Sequence, residues 1–316
     1  MMNNLTNSDN GQEVELIFQQ ILSLSSQCDS YFYLIYQPND CASTFADLIV
    51  EKSLTLFEYE SYKIKYTPGL IELNLTQDFD KQILKQSIYQ FFSSLDPKAI
   101  LLAKPRLVYG WLLSSLSADV LAKQLGKVAV QPSTDGDQLL RYFDPAILSP
   151  LATIFTQAQK DKLLNSVYYW LYLDGDGYLI IEKNERILRK QISNHLGISL
   201  QQWQAIAWIE SRNQALARYR FFHPNLSFLA EKEADKIIFQ AFLHASANGY
   251  SEKRDLSEYA YRCLAIHPNF IEHPIVKSTI KQNKTHSLIN QLHNISQSQW
   301  DVIVNECRVN QTGVEQ

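Results

Sequence analysis

Strand-forming segments occupy only the first 183 residues of this chain, and this asymmetry constrains its fold more than any other feature of the sequence. Short runs rich in aromatic and β-branched residues alternate there with segments of helical periodicity. After Lys183, helical patterns and helix-capping residues follow one another to the C-terminus. The sequence therefore predicts an α+β protein, with an N-terminal mixed α/β lobe around a central sheet and an all-helical C-terminal lobe. The alternation of strands and helices in the first lobe also predicts a mixed sheet with helices packed against it.

The same asymmetry predicts the domain organisation. The 316 residues, of which 46% are hydrophobic, suffice for two cores of ordinary size. We expect a disordered tail over residues 1–12, an α/β domain over 13–183 and a helical domain over 184–316. The polar start of the chain lacks the apolar segment of a secretory signal. No apolar run approaches the ~20 residues that span a bilayer, and the four cysteines are scattered, so a soluble cytoplasmic protein is expected.

Periodicity and capping residues predict the elements of the first lobe. Helices are expected at 13–26, 42–52, 78–95 and 118–125, with Asp78 and Ser117 as N-cap residues. Strands are expected at 31–36, 54–59, 70–75, 99–103, 110–114, 167–173 and 178–182. The last two are joined by Asp-Gly-Asp-Gly at 174–177. This element predicts a hairpin turn rather than a calcium loop, because the third ligand pair and the distant Glu of such a loop are missing.

The stretch at 138–148, Gln-Leu-Leu-Arg-Tyr-Phe-Asp-Pro-Ala-Ile-Leu, predicts the central strand of the first lobe running directly into a helix. Its bulky residues suit a pleated surface. Asp144 can accept hydrogen bonds from the free N–H groups of the helix, and Pro145 suits the first helical position because it lacks an N–H. Arg141 is then a permanent cation inside an otherwise apolar strand.

Two interpretations of Arg141 and Asp144 stay open at the level of the sequence. In the first, the two side chains form a structural pair that fixes the strand-to-helix corner. In the second, Arg141 recognises a carboxylate of a binding partner. No neighbouring residue in the sequence distinguishes the two.

The segment 141–148, Arg-Tyr-Phe-Asp-Pro-Ala-Ile-Leu, resembles the Arg-Phe-Tyr-Asp-Pro-Arg-Val-Leu signature of the effector-adaptor chaperones of bacterial type VI secretion, the Tap or TEC family. Residues 110–115 are similar to the strand that precedes the signature in that family, and the Trp-containing run at 167–173 to the strand that follows it. Ala146 stands where the family has its second Arg. The resemblance covers roughly residues 31–181.

This resemblance implies a cytoplasmic adaptor that binds a protein effector, a toxin, and helps to load it onto the spike protein of the secretion system. Such adaptors act by non-covalent binding, so no cofactor, metal or catalytic residue is expected. Arg141 and Asp144 are expected to maintain the fold, and aromatic residues of the helical lobe to contact a partner. The residues predicted to serve partner binding are Arg141, Asp144, Trp203, Trp208, Tyr219 and Phe222.

The second lobe is predicted to be helical throughout. Helices are expected at 184–195, 199–219, 226–247, 256–266, 273–282, 287–293 and 297–306. Thr-x-x-Gln at 156–159 and Ser-x-x-Gln at 199–202 and 296–299 predict capping boxes. Gly197 and the pair Asn248-Gly249 are of the types that commonly end a helix.

Charge and motif content argue against several other functions. The net charge of −4 differs from the basic excess typical of nucleic-acid binders. All seven histidines follow residue 183, so a histidine-dependent catalytic site cannot be confined to the first lobe. Phosphate-loop, dinucleotide and serine-hydrolase motifs are absent, and His267 and His273 lack the spacing of a helical metal site. The sequence predicts a binding protein rather than an enzyme.

Two alternatives to the adaptor are kept. One is a secreted toxin or hydrolase with a site between the lobes, in which a histidine of the second lobe meets an acidic or nucleophilic residue of the first. The other is a nucleic-acid-binding regulator that uses the helical lobe, where residues 218–223 interleave basic and aromatic side chains.

Overall fold

The structure is a computed structural model, which describes residues 9–39, 43–59, 62, 67–102, 104–164, 167–184, 194–224, 229–281 and 287–312. The chain divides into two compact units between Ile206 and Ala207. We call them the sheet unit and the helical unit. This division falls later in the chain than the predicted domain boundary at residue 183. The strands belong to the first unit and helices make up the second, so the α+β class is confirmed.

The sheet unit alternates strands with helices among its described residues. Its strands are β1 (Tyr31–Tyr36), β2 (Leu54–Leu56), β3 (Gly69–Leu73), β4 (Val108–Ser114), β5 (Val130–Ser133), β6 (Gly136–Leu139), β7 (Val167–Leu173) and β8 (Leu179–Lys183). Its helices are α1 (Asp9–Ser26), α2 (Thr44–Leu48), α3 (Asp78–Ser94), α4 (Pro97–Leu101), α5 (Ala118–Ala129), α6 (Pro145–Ile154) and α7 (Gln157–Leu164). Residues 9–12 of the predicted tail are therefore helical, and residues 1–8 lie outside the described part.

Six strands form one sheet in the order β2-β3-β1-β4-β7-β8, and every neighbouring pair is antiparallel. The expectation of a mixed sheet was wrong. Alternation of strands and helices suggested parallel neighbours, since helices usually connect parallel strands. The connection from β3 through α3 and α4 does return to a parallel strand, β4, but β1 lies between the two and is antiparallel to both.

Helices cover both faces of this sheet, which explains the continuous apolar runs in its central strands. On one face, the Trp111 indole donates a hydrogen bond to Ser87 of α3 at 2.9 Å, and both side chains are buried. On the other face, Trp170 of β7 packs against Tyr142, whose hydroxyl donates to the Leu125 carbonyl of α5 at 3.0 Å. Both sides of β4 are accordingly buried over its whole length.

The predicted strand at 99–103 was wrong, because residues 97–101 form the helix α4. Asp96 caps this helix by accepting a hydrogen bond from the Lys98 N–H at 3.0 Å, and Pro97 occupies its first turn. This start signal outweighs the short apolar run that follows it. Residue 103 lies outside the described part of the chain.

The central strand predicted at 138–143 was also wrong. The strand β6 ends at Leu139 and pairs with β5 in a separate two-stranded sheet. One further hydrogen bond, from the Leu140 N–H to the Ala129 carbonyl, extends this pairing at 2.7 Å. The Asp144 N–H then donates to the Arg141 carbonyl at 3.0 Å, which closes a turn. Arg141 therefore lies in a turn and not inside a strand.

Smaller corrections concern the ends of elements. The N-cap of α3 is Gln77, so Asp78 is the first helical residue rather than the cap. Ser117 is the N-cap of α5 but its side chain makes no capping hydrogen bond. Strand β2 stops at Leu56 instead of residue 59, and α2 is shorter than the predicted helix at 42–52. The remaining strands of the six-stranded sheet begin and end within two residues of the predictions.

The helical unit contains only helices among its described residues. They are α8 (Leu200–Phe222), which begins in the sheet unit, α9 (Glu231–Ala247), α10 (Lys253–Ala265), a short 3₁₀ helix (Phe270–Glu272), α11 (Pro274–Lys281), α12 (Leu288–Leu292) and α13 (Gln297–Thr312). Most of the helix predicted at 184–195 falls on residues 185–193, outside the described part. None of the described helices combines the length and apolar character needed to cross a bilayer.

The three predicted capping boxes form, two in the sheet unit and one in the helical unit. Gln159, Gln202 and Gln299 each accept a hydrogen bond from the backbone N–H of the residue three positions earlier, and the hydroxyl there accepts one in return. Helix α9 ends at Asn248 and Gly249, and Gly249 has the positive φ of 87° that favours glycine. The Asp-Gly-Asp-Gly element forms the predicted hairpin turn between β7 and β8.

Candidate functional site

Asp144 lies at the N-cap of α6 and is the centre of a cluster of charged and polar side chains. Its Oδ1 accepts a hydrogen bond from the Ala146 N–H at 3.1 Å, which confirms the predicted cap. The same oxygen accepts a hydrogen bond from Arg106 Nη1 at 3.2 Å. Arg141 Nη2 lies 3.8 Å from the other carboxylate oxygen. One carboxylate therefore starts the helix and pairs with two guanidinium groups.

Arg106, in the segment before β4, was not identified from the sequence. Its side chain is only 13% exposed. The guanidinium lies over the Phe91 ring of α3, 5.2 Å from the ring centroid, where a cation is attracted to the ring face. Arg106 and Asp144 are 38 positions apart in the sequence, and only the fold brings them together.

Tyr109 enters the cluster because β4 contains a β-bulge. Opposite Ile35 and Tyr36 of β1 stand Gly110 and Val108, so Tyr109 has no partner on that strand. A bulge of this kind redirects the side chain of the extra residue. Gly110 is required beside it, because its φ is 140° and a Cβ there would lie 2.3 Å from the Leu171 carbonyl oxygen.

The Tyr109 hydroxyl makes two hydrogen bonds. It accepts one from Arg141 Nη2 at 3.3 Å and donates one to Gln37 Oε1 at 3.0 Å. Burial raises the pKa of Tyr109 to about 12; the Asp144 charge adds to the rise, and the two arginines oppose it. The phenol is therefore neutral near pH 7 and can both accept and donate, as this geometry needs.

Arg141 is the most accessible member of the cluster, with 47% of its side chain exposed. Its guanidinium lies 5.7 Å from the centroid of the buried Phe143 ring. An arginine carries five N–H donors, and the described residues engage only the Nη2 group, with Tyr109 and Asp144. The other donors are left to water or to a bound partner.

Tyr59 is a further side chain in the electrostatic field of Arg141. Its hydroxyl is buried and has no hydrogen-bond partner within the described part of the chain. Burial raises the pKa of Tyr59, and the positive charge of Arg141 opposes that rise.

We call Arg106, Tyr109, Arg141 and Asp144 the arginine corner. It holds two guanidinium groups against one carboxylate, so one positive charge is not balanced inside the cluster. Arg106 is mostly buried and donates a hydrogen bond to Asp144, whereas Arg141 presents its charge to solvent. A forked guanidinium in such a position suits bidentate binding of a carboxylate. The arrangement is compatible with both interpretations of the motif. Asp144 holds the corner in place, and Arg141 is accessible to a carboxylate of a partner.

The other four predicted contact residues lie along α8. Trp203 is half-buried. Trp208 is half-buried too and packs against the rings of Phe239 and Phe242 of α9. Tyr219 is 7% exposed, so it belongs to the core of the helical unit and its ring has little surface to offer a partner. Of the six predicted residues, the structure brings together Arg141 and Asp144, whose charged groups lie 3.8 Å apart.

Phe222 is the most exposed of these aromatic residues. It is 58% exposed and its ring packs edge-on against Phe221, with centroids 5.0 Å apart. The neighbouring basic residue Arg218 is not free to bind phosphate, because it donates to Glu258 at 2.8 Å and lies over the Tyr261 ring. This pairing weakens the nucleic-acid interpretation of residues 218–223.

His267 and His273 flank the short 3₁₀ helix, as expected for a turn between helices. His267 Nδ1 accepts from the Asn269 N–H at 3.0 Å. His273 accepts from the Ile275 N–H at 3.3 Å, and its other nitrogen lies 3.0 Å from a Glu306 carboxylate oxygen. Both imidazoles thus take part in ends and pairings of helices.

Comparison of the chain with protein-family models, with curated proteins and with solved structures finds no match.

Proposed function

We propose that this protein is a non-catalytic adaptor that binds another protein through a carboxylate contact at Arg141. The proposal rests on the different roles of the four residues in the arginine corner. Asp144, Arg106 and Tyr109 hold the corner in place, and this leaves the Arg141 fork half-exposed beside a buried aromatic ring. Arginine in such surroundings is among the residue types most frequent in interface hot spots.

The resemblance of the 141–148 segment to the type VI secretion adaptors supports a more specific proposal. The partners are then a toxin effector and the spike protein of the secretion system, and the site is cytoplasmic. No cofactor is invoked, because holding and handing over a partner needs only differential binding. Exposed Phe222 is the second contact residue that we retain, as a large apolar side chain on the helical unit.

The test is affinity capture of the tagged full-length chain from its native bacterium, under conditions in which the secretion system is expressed. Mass spectrometry of the bound fraction identifies the partners. Recovery of a toxin together with a spike protein, both lost with Arg141→Ala, is the expected result. Recovery of neither from expressing cells would overturn the proposal.

A charge-matched control is available in the same chain. Arg254 of α10 is exposed and lies outside the arginine corner. Arg254→Ala should leave both partners bound. Arg141→Lys keeps the charge but loses the fork, so it should recover only part of the binding if a bidentate carboxylate contact is made.

A further inference from the structure

Strand β8 forms one edge of the six-stranded sheet, and within the described part of the chain its outer side has no neighbouring strand. It is five residues long, whereas the opposite edge strand, β2, has three residues and the strands of the two-stranded sheet have four each. Short edge strands are one means by which proteins prevent pairing with other chains. Among the described strands, β8 therefore offers the longest template for pairing at a sheet edge.

The hydrogen bonds between β7 and β8 determine which backbone groups of β8 point outward. The Asp174 N–H donates to the Tyr178 carbonyl at 3.0 Å, and the Asn184 N–H donates to the Tyr168 carbonyl at 3.1 Å. In an antiparallel pair, residues bonded to the neighbouring strand alternate with residues whose N–H and C=O point away from it. The register between these two bonds is uninterrupted, so the even-numbered residues bond to β7. The outward-pointing residues are Leu179, Ile181 and Lys183.

The outward N–H and C=O groups of β8 make no hydrogen bond to any described residue. They are also accessible, because Ile181 is 47% exposed and Lys183 is exposed as well. An open row of such groups can pair with an extended segment of another chain through a ladder of main-chain hydrogen bonds. The backbone of β8 is therefore arranged to accept one more strand.

Two adjacent charges lie at the C-terminal end of this strand. Glu182 and Lys183 project to opposite faces of the sheet, because side chains alternate along a strand. Neither forms an ion pair with a described residue. The three residues before them are apolar. Opposite charges directly across a strand pair are stabilising, so the edge favours an extended segment with a basic residue at one position and an acidic residue at the next.

A second copy of this chain does not supply that pattern. In an antiparallel pair, an outward-pointing residue of one strand lies opposite an outward-pointing residue of the other. Lys183 of one copy then faces an odd-numbered residue of the other copy and never Glu182. Pairing centred on Glu182 would place two carboxylates opposite each other, which is destabilising. The charges therefore favour a different chain over a second copy.

We propose that β8 accepts an extended segment of a partner protein as an additional, antiparallel strand of the sheet. The segment begins with an acidic residue opposite Lys183 and a basic residue opposite Glu182. Apolar β-branched residues follow, opposite Ile181, Ile180 and Leu179. Main-chain hydrogen bonds at the outward-pointing residues provide affinity, and the two charges fix the register. This site is formed by other residues than the arginine corner and does not rest on the proposed adaptor function.

The probe that tests the charge pattern is the pentapeptide acetyl-Glu-Lys-Val-Ile-Val-amide, whose residues stand opposite residues 183 to 179 in that order. Isothermal titration calorimetry with the full chain should show binding of this peptide. The isomer acetyl-Lys-Glu-Val-Ile-Val-amide has its charges exchanged and should bind about tenfold more weakly, since both charge pairs become repulsive. Equal affinities, or no binding of the first peptide up to about 1 mM, would overturn the proposal.

N-methylated peptides test the backbone geometry. The N–H of the first Val stands opposite Ile181 and points to β8, so its methylation should weaken binding by about tenfold. The N–H of the Ile stands opposite Ile180 and points away from β8. Its methylation should change the affinity by less than about twofold. Equal effects of the two methylations would contradict strand addition.

Variants of the protein locate the site. Ile181→Pro removes an outward N–H but no hydrogen bond to β7, and proline is tolerated at such positions of edge strands. It should weaken binding of the pentapeptide by at least about tenfold. The double exchange of Glu182→Lys with Lys183→Glu should reverse the preference between the two charged isomers, and this result does not depend on the proline variant. Lys232→Glu, exposed on α9, is the charge control and should keep the original preference.

Retention of the original preference by the double exchange would overturn the proposal. Sedimentation velocity tests whether the occupant is instead a second copy. The wild-type chain and Ile181→Pro should sediment alike, and a wild-type dimer that Ile181→Pro dissociates would show that the proposal is wrong. Partner recovery with Arg141→Ala is a separate measurement, so either proposal can fail alone.

Discussion

The two units each contain an arginine paired with acidic side chains, and the two arginines differ sharply in burial. In the helical unit, Arg212 is 4% exposed and donates to Asp235 at 2.7 Å, to Asn213 at 2.8 Å and to Glu231. In the sheet unit, the Arg141 side chain is 47% exposed, and within the described part of the chain its guanidinium makes one hydrogen bond, of 3.3 Å, to Tyr109. All three guanidinium nitrogens of Arg212 donate a hydrogen bond within the helical unit, whereas only Nη2 of Arg141 donates one to a described residue.

This difference separates two uses of the same residue type. Because a buried charge that loses its partner is costly, the helical unit needs the intact Arg212 cluster for its stability. An exposed arginine contributes little to stability, because water competes for its hydrogen bonds. The comparison predicts that substitution of Arg212 lowers stability and that substitution of Arg141 lowers partner binding. The predictions below run from the largest expected effect to the smallest.

The largest expected effect is that of Arg212→Ala. This variant leaves Glu231 and Asp235 without their cation, and Glu231 is only 5% exposed. The free energy of unfolding should fall by about 3–5 kcal/mol in urea titrations. Arg254→Ala, on the exposed surface of α10, is the matched control and should behave like the wild type. If Arg212→Ala lost no more unfolding free energy than Arg254→Ala, the structural role assigned to Arg212 would be wrong.

Asp144→Ala should have an intermediate effect, a loss of about 2 kcal/mol in the same measurement. It removes both the cap of α6 and the partner of Arg106. Asp144→Asn keeps an oxygen that can accept from the Ala146 N–H and loses only the charge. It should therefore be clearly more stable than Asp144→Ala. Identical losses would mean that the cap contributes nothing.

A third prediction concerns acid stability of the helical unit. Burial disfavours the charge of Glu258, but Arg262 and Arg218, each 2.8 Å away, outweigh it and lower the pKa of the carboxyl below its usual range. The resulting stabilisation is complete above the unfolded-state pKa of about 4.3 and is lost as the pH falls through the lower folded-state value. Unfolding free energies measured below pH 5 should fall less steeply in Glu258→Gln. Equal slopes for the two proteins would contradict this.

The sequence predicted those parts of the fold whose signals are local. Asp144 and Pro145 start α6 as expected, and three capping boxes form at their predicted positions. Asp96 and Pro97 form the same helix-start signal as Asp144 and Pro145, a capping Asp followed by Pro. The strand predicted at 99–103 was wrong because this signal outweighs the short apolar run after it. That helix was predictable from the rule already used elsewhere in the chain.

The parts that the sequence did not reveal depend on long-range pairing. Arg106 meets Asp144 only because β4 lies in the middle of the sheet, and Tyr109 reaches Arg141 only through a bulge whose register is set by β1. The sheet order, with β1 inserted between β3 and β4, has no local signature either. Half of the arginine corner was therefore recognisable from one motif, and the other half required the tertiary structure.

The most direct test of the central claim is a paired measurement on Arg141→Ala, of unfolding free energy and of partner recovery from the native bacterium. We predict a loss of stability below about 1 kcal/mol, because the side chain is half-exposed. We predict at the same time a fall in partner binding of about thirtyfold, the effect of a hot-spot residue. A large loss of stability with unchanged binding by the remaining folded protein would contradict the account and make Arg141 a purely structural residue.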